Sequence, residues 1–198
     1  MAFDMQELLR AARHTVQQPR SGARLILNLQ LPVNVAWVSL ALMAVASAAL
    51  STLTFMLSEA AGTAALDPAM TRLFANPMQF AALQAGVLLL GAMLMHAVGR
   101  MFGGRGQFNE ALLLVAWLEF ILLLLQIAQI VAMLVSASLA GALGVFGLVL
   151  FLWLLVNFIA ELHGFASVLT VLFGVIGTFL VISIAMAVLI VAVVGVGA

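Results

Sequence analysis

The sequence predicts an all-α polytopic membrane protein with five transmembrane helices and an N-terminal amphipathic interfacial segment. The first observation is composition, because 66% of the 198 residues are hydrophobic and 7% are charged, against roughly 45–50% and 25% in soluble domains. The second is that five apolar runs reach the length of about 20 residues with which a helix crosses a bilayer. The third is that these runs lack period-two alternation, which excludes a membrane β-barrel.

The charges and the absence of cysteine exclude several classes of function. Seven basic and seven acidic side chains give a formal net charge of zero, so no nucleic-acid partner is expected. Cysteine is absent, which excludes disulfides and thiolate metal sites. Residues 1–24 carry charges throughout and contain no apolar core, so we expect no secretory signal peptide.

Two stretches outside the spans are predicted to lie at the membrane surface. Residues 1–31 are predicted to form a cytoplasmic amphipathic segment. In its first part, apolar residues recur at helical spacing and form one side of a helix: Met5, Leu8, Leu9, Ala12 and Val16. Pro19 interrupts this pattern, so one or two helices are expected there. In the second stretch, residues 67–75, Asp67 suits the cap of a short helix and Pro68 its first position.

The membrane domain, residues 32–198, contains the five spans. They are predicted to cover residues 33–57, 79–99, 111–136, 143–162 and 167–193. Asn76 and Pro77 suit the cap and the first turn of the second span. Asn109 and Glu110 indicate where the third span starts.

The boundaries around the fourth span are less sharply marked. Gly141, Gly144 and Gly147 leave its start open by several residues, and the turn at residues 161–164 leaves room only for a tight hairpin into the fifth span. Grouping residues 143–193 differently would give four or six spans. We predict five, because this length fits two helices best.

Arginines predict the orientation of the spans. Four arginines precede the first span, Arg100 and Arg105 lie between the second and third, and Arg72 alone lies between the first and second. Because short cytoplasmic loops are enriched in positive charge, the N-terminus and the loop at 100–110 are expected in the cytoplasm. An odd number of spans then places Ala198 outside.

Three segments of the chain carry a resemblance to a known family. They are the loop Gly103-Gly104-Arg105-Gly106-Gln107-Phe108, the end of the fourth span from Trp153 to Glu161, and the turn Glu161-Leu162-His163-Gly164-Phe165. Together with the order of the spans over roughly residues 15–193, they resemble bacterial members of the Yip family, which is named for membrane proteins that interact with Ypt/Rab GTPases. Bacterial relatives often carry a proline within the third span, whereas this chain has Glu119 and no proline there.

The resemblance implies a five-helix integral bundle of the bacterial inner membrane that organises or binds other membrane components without catalysis. Membrane lipids and another membrane protein or complex are the implied partners, and Rab partners do not carry over to a bacterial protein. The residues themselves point the same way, because the chain lacks the GxSxG, HExxH, P-loop and clustered-aspartate motifs of enzymes. We therefore expect no enzymatic activity.

A contact surface is predicted on the cytoplasmic side, where this topology brings together the N-terminal segment, the loop after the second span and the turn after the fourth. Glycine permits backbone geometries that other residues avoid, while Arg105 and Phe108 offer a charge and an aromatic anchor. The predicted partner or lipid contacts are Gly103, Gly104, Arg105, Gly106, Phe108, Glu161 and His163.

Polar residues inside the spans are candidates for a second kind of site. Glu119 stands about 13 Å beyond Glu110 at 1.5 Å per residue, near the middle of a core of about 30 Å. A charge there costs about 2.5–3.5 kcal/mol, so we expect Glu119 to be protonated or paired within the bundle, with Gln126 on the same face as its partner. Gln129 and Asn157 are the other two intramembrane polar residues in this candidate site. A structural role is favoured, and a small permease or channel that uses Glu119, Gln126 and Asn157 is the alternative function.

Two histidines give a weak indication of a cofactor. His96 and His163 are predicted near the cytoplasmic ends of the second and fourth spans, where they could ligate haem or pigments. Polar residues at helix ends are the favoured interpretation, so no cofactor is expected. No metal is expected either, because the chain lacks a zinc-binding spacing.

Small residues form faces on two spans. Ser47 and Ser51 share one face of the first span, with Thr54 and Ser58 near it, and Thr170, Gly174, Gly177 and Thr178 share one face of the fifth. Such faces let helices approach closely in lipid. Packing inside the bundle is the favoured interpretation, and an oligomer or hetero-complex interface is the alternative.

Overall fold

The computed structural model describes residues 4–60, 68–74 and 76–196, and these residues form eight helices and no strand. In chain order the helices are α1 (Met5–Gln17), α2 (Pro19–Leu27), α3 (Val33–Ala60), α4 (Pro68–Phe74), α5 (Pro77–Met101), α6 (Phe108–Val135), α7 (Ala137–His163) and α8 (Val168–Val196). Helices α3, α5, α6, α7 and α8 are long and apolar enough to cross a membrane, which confirms the predicted fold class. The predicted cap Asp67 and the C-terminal Ala198 lie outside the described residues.

Helix α6 is the centre of the bundle. Every residue from Ala111 to Glu119 is buried, because α2, α3, α5 and α7 pack against this helix. Helix α8 packs on α7 through a separate apolar cluster of Val156, Ala160, Val171 and Val175. The last helix is therefore attached to the outside of the bundle through α7.

Helix α7 begins ahead of the predicted position 143, and only Ser136 separates it from α6. A Cβ atom on Gly144 would stand 3.1 Å from Gln129 Nε2 of α6. One on Gly147 would stand 3.0 Å from Leu125 Cδ2. These glycines therefore serve the close packing of α6 on α7 and do not mark a helix boundary.

The predicted start of α5 is confirmed and that of α6 is corrected. Asn76 Oδ1 accepts a hydrogen bond from the Gln79 N–H at 3.2 Å, and a proline occupies the first turn. Helix α6 starts earlier than predicted, because Gln107 is its N-cap residue and the N–H of Gln107 donates to Glu110 Oε2 at 2.8 Å. Asn109 therefore lies inside the first turn and does not cap it.

The N-terminal segment contains two helices that meet at Gln18 and dock on the bundle. Trp117 Nε1 of α6 donates a hydrogen bond to Thr15 Oγ1 of α1 at 3.1 Å, and both side chains are buried. Helix α2 packs against α6 and α7, and it ends at Leu27. The segment is therefore held against the bundle by protein contacts.

The second predicted surface stretch forms the short helix α4. Its Phe74 ring stacks on Phe55 of α3 with centroids 5.2 Å apart, and it lies 4.7 Å from the ring of Phe80 on α5. Aromatic packing therefore fixes α4 across the ends of these two spans.

Candidate functional site

A cluster of charged residues joins α2 to the end of α7. Arg20 Nε lies 3.3 Å from Glu161 Oε2, and Arg24 Nε lies 2.8 Å from Glu161 Oε1. The Arg20 Nη2 group also donates to the carbonyl oxygen of Phe165 at 2.6 Å. Both arginines reach the same carboxylate because positions i and i+4 share one face of a helix. The hydrogen bond and the charge of Glu161 raise the pKa of Arg24.

His163 is held in a closed socket beside this cluster. Its Nδ1 accepts a hydrogen bond from the Gly106 N–H at 3.2 Å, and its Nε2 lies 2.9 Å from the Met95 carbonyl oxygen. Since a carbonyl can only accept, we assign the proton to Nε2 and a neutral imidazole. Phe165 stacks on the ring with centroids 5.6 Å apart. Both ring nitrogens are therefore used within the protein, which leaves neither for haem or a pigment.

Glycines form the walls of this socket. A Cβ atom on Gly99 or on Gly104 would collide with the His163 ring. Gly103 has a φ of +85°, in the left-handed region that favours glycine. The glycine loop is therefore shaped to receive the last turn of α7.

The seven predicted contact residues divide into two sets. Gly103 and Arg105 are exposed. The other five are partly or fully buried where these segments meet, and they are Gly104, Gly106, Phe108, Glu161 and His163. The Phe108 ring lies 6.2 Å from Trp37 and 5.9 Å from His96, so it packs inside the protein. We name the face formed by α2, the loop 102–107 and the turn 164–167 the junction surface.

Glu119 links three helices inside the bundle, and its side chain is only 9% exposed. Its Oε1 accepts hydrogen bonds from the Ser47 hydroxyl of α3 and from Gln84 Nε2 of α5, the latter at 3.1 Å. The expectation that Glu119 is paired within the bundle is confirmed. The expectation that Gln126 is its partner is wrong, because Ser47 and Gln84 reach the carboxylate from neighbouring helices.

The other intramembrane polar residues make separate contacts. Gln126 Nε2 donates to Ser51 Oγ of α3 at 3.1 Å. Gln129 Nε2 donates to the Ala140 carbonyl oxygen of α7 at 3.2 Å. Asn157 Nδ2 donates to a carbonyl of its own helix at 2.8 Å. Each side chain thus serves a different local or interhelical contact, and the set does not form one polar path among the described residues.

An apolar groove of about 770 Å³ opens between α5 and α8, with α6 and α7 forming its floor. It runs from Phe102 and Phe165, next to the junction surface, to Val87 and Ile182 deeper in the bundle. Glu119 lines this groove. The groove could not be identified from the sequence, because the separation of α8 from α5 depends on how α8 attaches to α7.

The described part of the chain holds no group of three or more His, Asp or Glu side chains that could bind a metal ion. Within it, the buried side-chain polar atoms without a hydrogen-bond partner are Thr52 Oγ1 and His96 Nδ1. These atoms lie on α3 and α5 respectively, and neither lines the groove. They therefore add nothing to the two candidate sites, which are the junction surface and the groove.

The chain matches one of the family models with which it was compared. A model described as the Yip1 domain matches residues 13–194, nearly the whole chain. No curated protein and no solved structure matched the chain in the same comparisons. The matched range includes the glycine loop, Glu119 and the groove, so both candidate sites lie within it.

Proposed function

The chain belongs to the Yip1 domain family, and from this premise we propose that it is a non-catalytic integral membrane protein that organises other membrane components or accompanies them as an accessory protein. Its proposed partners are membrane lipids and another membrane protein or complex. The proposed location is the inner membrane of a bacterium.

The junction surface is the observation that supports this proposal most directly. It combines three distant parts of the chain, because Glu161 binds α2 and His163 fills the glycine loop. A preformed face loses little conformational entropy when a partner binds. Arg105 is exposed on this face beside Gly103, and an arginine on a fixed backbone suits recognition of a protein or of a lipid headgroup.

We propose that the junction surface faces the cytoplasm. The exposed arginines on this side are Arg10, Arg13, Arg24, Arg100 and Arg105. Only Arg72 lies beyond the opposite ends of the spans. Because cytoplasmic flanks are enriched in arginine, this asymmetry favours a cytoplasmic N-terminus and, with five spans, a C-terminus outside.

The transport alternative has weaker support. Gln126 and Asn157 make hydrogen bonds away from Glu119 and do not line the groove. A permease needs polar groups that follow one another along a path. The polar residues of this chain instead favour a role in holding helices together.

Site-specific photocrosslinking in intact membranes tests the proposed function. A photoreactive amino acid in place of Arg105 should give a discrete adduct with another protein, because this position is exposed on the junction surface. The control position is Val38, which is 66% exposed on the outer side of α3 and should give lipid adducts. Lipid adducts alone at both positions would contradict a protein partner at this surface.

A further inference from the structure

The groove between α5 and α8 contains a carboxyl group at mid-membrane depth. Glu119 lies about 16 Å along α6 from Phe108 at 1.5 Å per residue, close to the middle of a core of about 30 Å. Apart from this carboxyl group, apolar side chains, glycines and a few hydroxyls line the groove. Oε1 of Glu119 accepts two hydrogen bonds, whereas Oε2 has no partner among the described residues and, unlike Thr52 Oγ1 and His96 Nδ1, is not fully enclosed by the protein.

An unpaired carboxyl oxygen is costly in hydrocarbon. If Glu119 is ionised, or if Oε1 carries its proton, Oε2 lacks a donor. If Oε2 carries the proton, that proton lacks an acceptor. In each state, an occupant of the groove that brings a hydrogen-bonding group to this depth removes the cost. The unpaired oxygen therefore indicates the chemistry of the occupant.

We propose that the groove binds a transmembrane helix of a partner membrane protein, and that this helix presents an amide or hydroxyl side chain to Glu119 Oε2. This inference rests on the proposed function and specifies the chemistry by which such a partner is recognised inside the membrane. The junction surface would then contact the partner outside the membrane, and the groove would contact it within.

The depth of Glu119 favours a helix over a phospholipid as the occupant. The polar groups of a phospholipid lie in the headgroup region, about 15 Å from the middle of the bilayer, and its acyl chains carry no hydrogen-bond donor. A transmembrane helix can hold a polar side chain at any depth, and such side chains form hydrogen bonds between helices.

The walls of the groove suit the close approach of a helix. Thr170, Gly174 and Thr178 recur every four residues along the α8 wall, and Gly91 lies on the α5 wall. A Cβ atom on Gly91 or Gly174 would meet no other atom within 4 Å. Both walls are therefore recessed where small residues allow helix backbones to pack.

Association of synthetic helices with the full-length protein in phosphatidylcholine liposomes tests this proposal. The first peptide is a Leu/Ala helix of about 20 residues with one central Asn, and the control peptide has Leu at that position. Energy transfer between labels on the peptide and on the protein measures the association. We expect the Asn peptide to bind roughly tenfold more tightly than the control, and Glu119→Leu to abolish the difference.

Two glycine variants separate occupation of the groove from folding. Gly174→Leu extends the α8 wall into the groove from a Cβ position that has no other atom within 4 Å, so it should abolish association of the Asn peptide while thermal stability is retained. Gly177→Leu is the matched control on the same helix. Its Cβ also meets nothing within 4 Å, but Gly177 does not line the groove, so association should persist.

Three results would overturn the proposal. Equal association of the two peptides would show that Glu119 does not recognise a polar side chain of the bound helix. Native mass spectra in which Gly174→Leu removes a bound phospholipid, without any peptide association, would make the groove a lipid site. Energy transfer between two protein copies that Gly174→Leu abolishes would make the occupant a second copy of this chain.

The two proposals can fail separately. Photocrosslinking at Arg105 detects a partner at the junction surface, and its result does not depend on whether the groove is occupied. A protein adduct at Arg105 combined with no peptide association would reject the groove inference and leave the proposed function in place. Peptide association without an adduct at Arg105 would locate partner binding within the membrane.

Discussion

Arg24 and Glu161 are 137 positions apart in the sequence, and Arg24 Nε lies 2.8 Å from Glu161 Oε1. The arginine side chain is 64% exposed, whereas the glutamate side chain is 13% exposed. The carboxylate is thus largely covered by the protein and is reached by the arginine from the surface. Because Arg20 binds the same carboxylate, one acidic side chain forms ion pairs with two arginines of α2.

Glu161→Gln should loosen the two N-terminal helices, because glutamine carries no negative charge and keeps only one acceptor oxygen for the two arginines. Hydrogen exchange measured by mass spectrometry in detergent should be severalfold faster at the backbone amides of α2. Glu7→Gln removes an exposed carboxylate from α1 and should leave the exchange unchanged. Unchanged protection in Glu161→Gln would show that the buried Thr15–Trp117 hydrogen bond and the apolar packing of the segment are sufficient to hold it.

Gly104→Ala should lower the free energy of unfolding by about 1–3 kcal/mol, because the new Cβ atom would collide with the His163 ring. Chemical unfolding in detergent measures this loss. The His163 atoms nearest to this position are Nδ1, Cβ and Cγ. His163→Gly removes all three, so the same glycine substitution should cost less in that background. Equal losses in the two backgrounds would contradict a direct contact.

Glu119→Ala should lower the free energy of unfolding by about 1–2 kcal/mol, because Ser47 and Gln84 would lose their common acceptor. Glu119→Gln should retain most of the stability, since its amide oxygen can still accept. The loss in Glu119→Ala should add to that in Gln126→Ala, because Gln126 binds Ser51 instead. Strong coupling between the two substitutions in thermal unfolding would count against separate contacts.

A C-terminal alkaline phosphatase fusion should be active and a C-terminal green fluorescent protein fusion dark, because five spans and a cytoplasmic N-terminus place the C-terminus outside. Enzyme activity and fluorescence in intact bacteria are the measurements. The same reporters fused after Gln107 should give the opposite pair of results, since that residue lies on the side of the N-terminal helices. An active phosphatase after Gln107 would contradict the proposed orientation.

Local sequence patterns are sufficient to predict the helices of this protein and most of their ends. Asn76 caps α5 as predicted, because a cap depends on residues within one turn. Gly144 and Gly147 show the limit of such patterns. A glycine looks the same in a sequence whether it ends a helix or receives a neighbouring side chain, and the neighbours in α6 are outside the local window.

The candidate sites are predictable only in part, for a related reason. The glycine loop and Glu119 stand out in the sequence because their residue types are unusual at those positions. Their contacts could not be predicted, since the side chains that meet them come from other helices, whose rotation about their own axes is set by packing. Ser47 and Gln84 are the clearest examples, because neither stood out as a partner for Glu119.

The His163 socket also implies an order of events during synthesis. The Gly106 N–H that binds the imidazole is 57 positions ahead of His163 in the chain. At about 5–20 residues per second, the ribosome makes the loop about 3 to 11 s before it makes the side chain that fills it. A nascent chain that ends before the turn at residues 164–167 therefore lacks the complete junction surface, and a partner that recognises this surface can distinguish chains that extend through this turn from shorter ones.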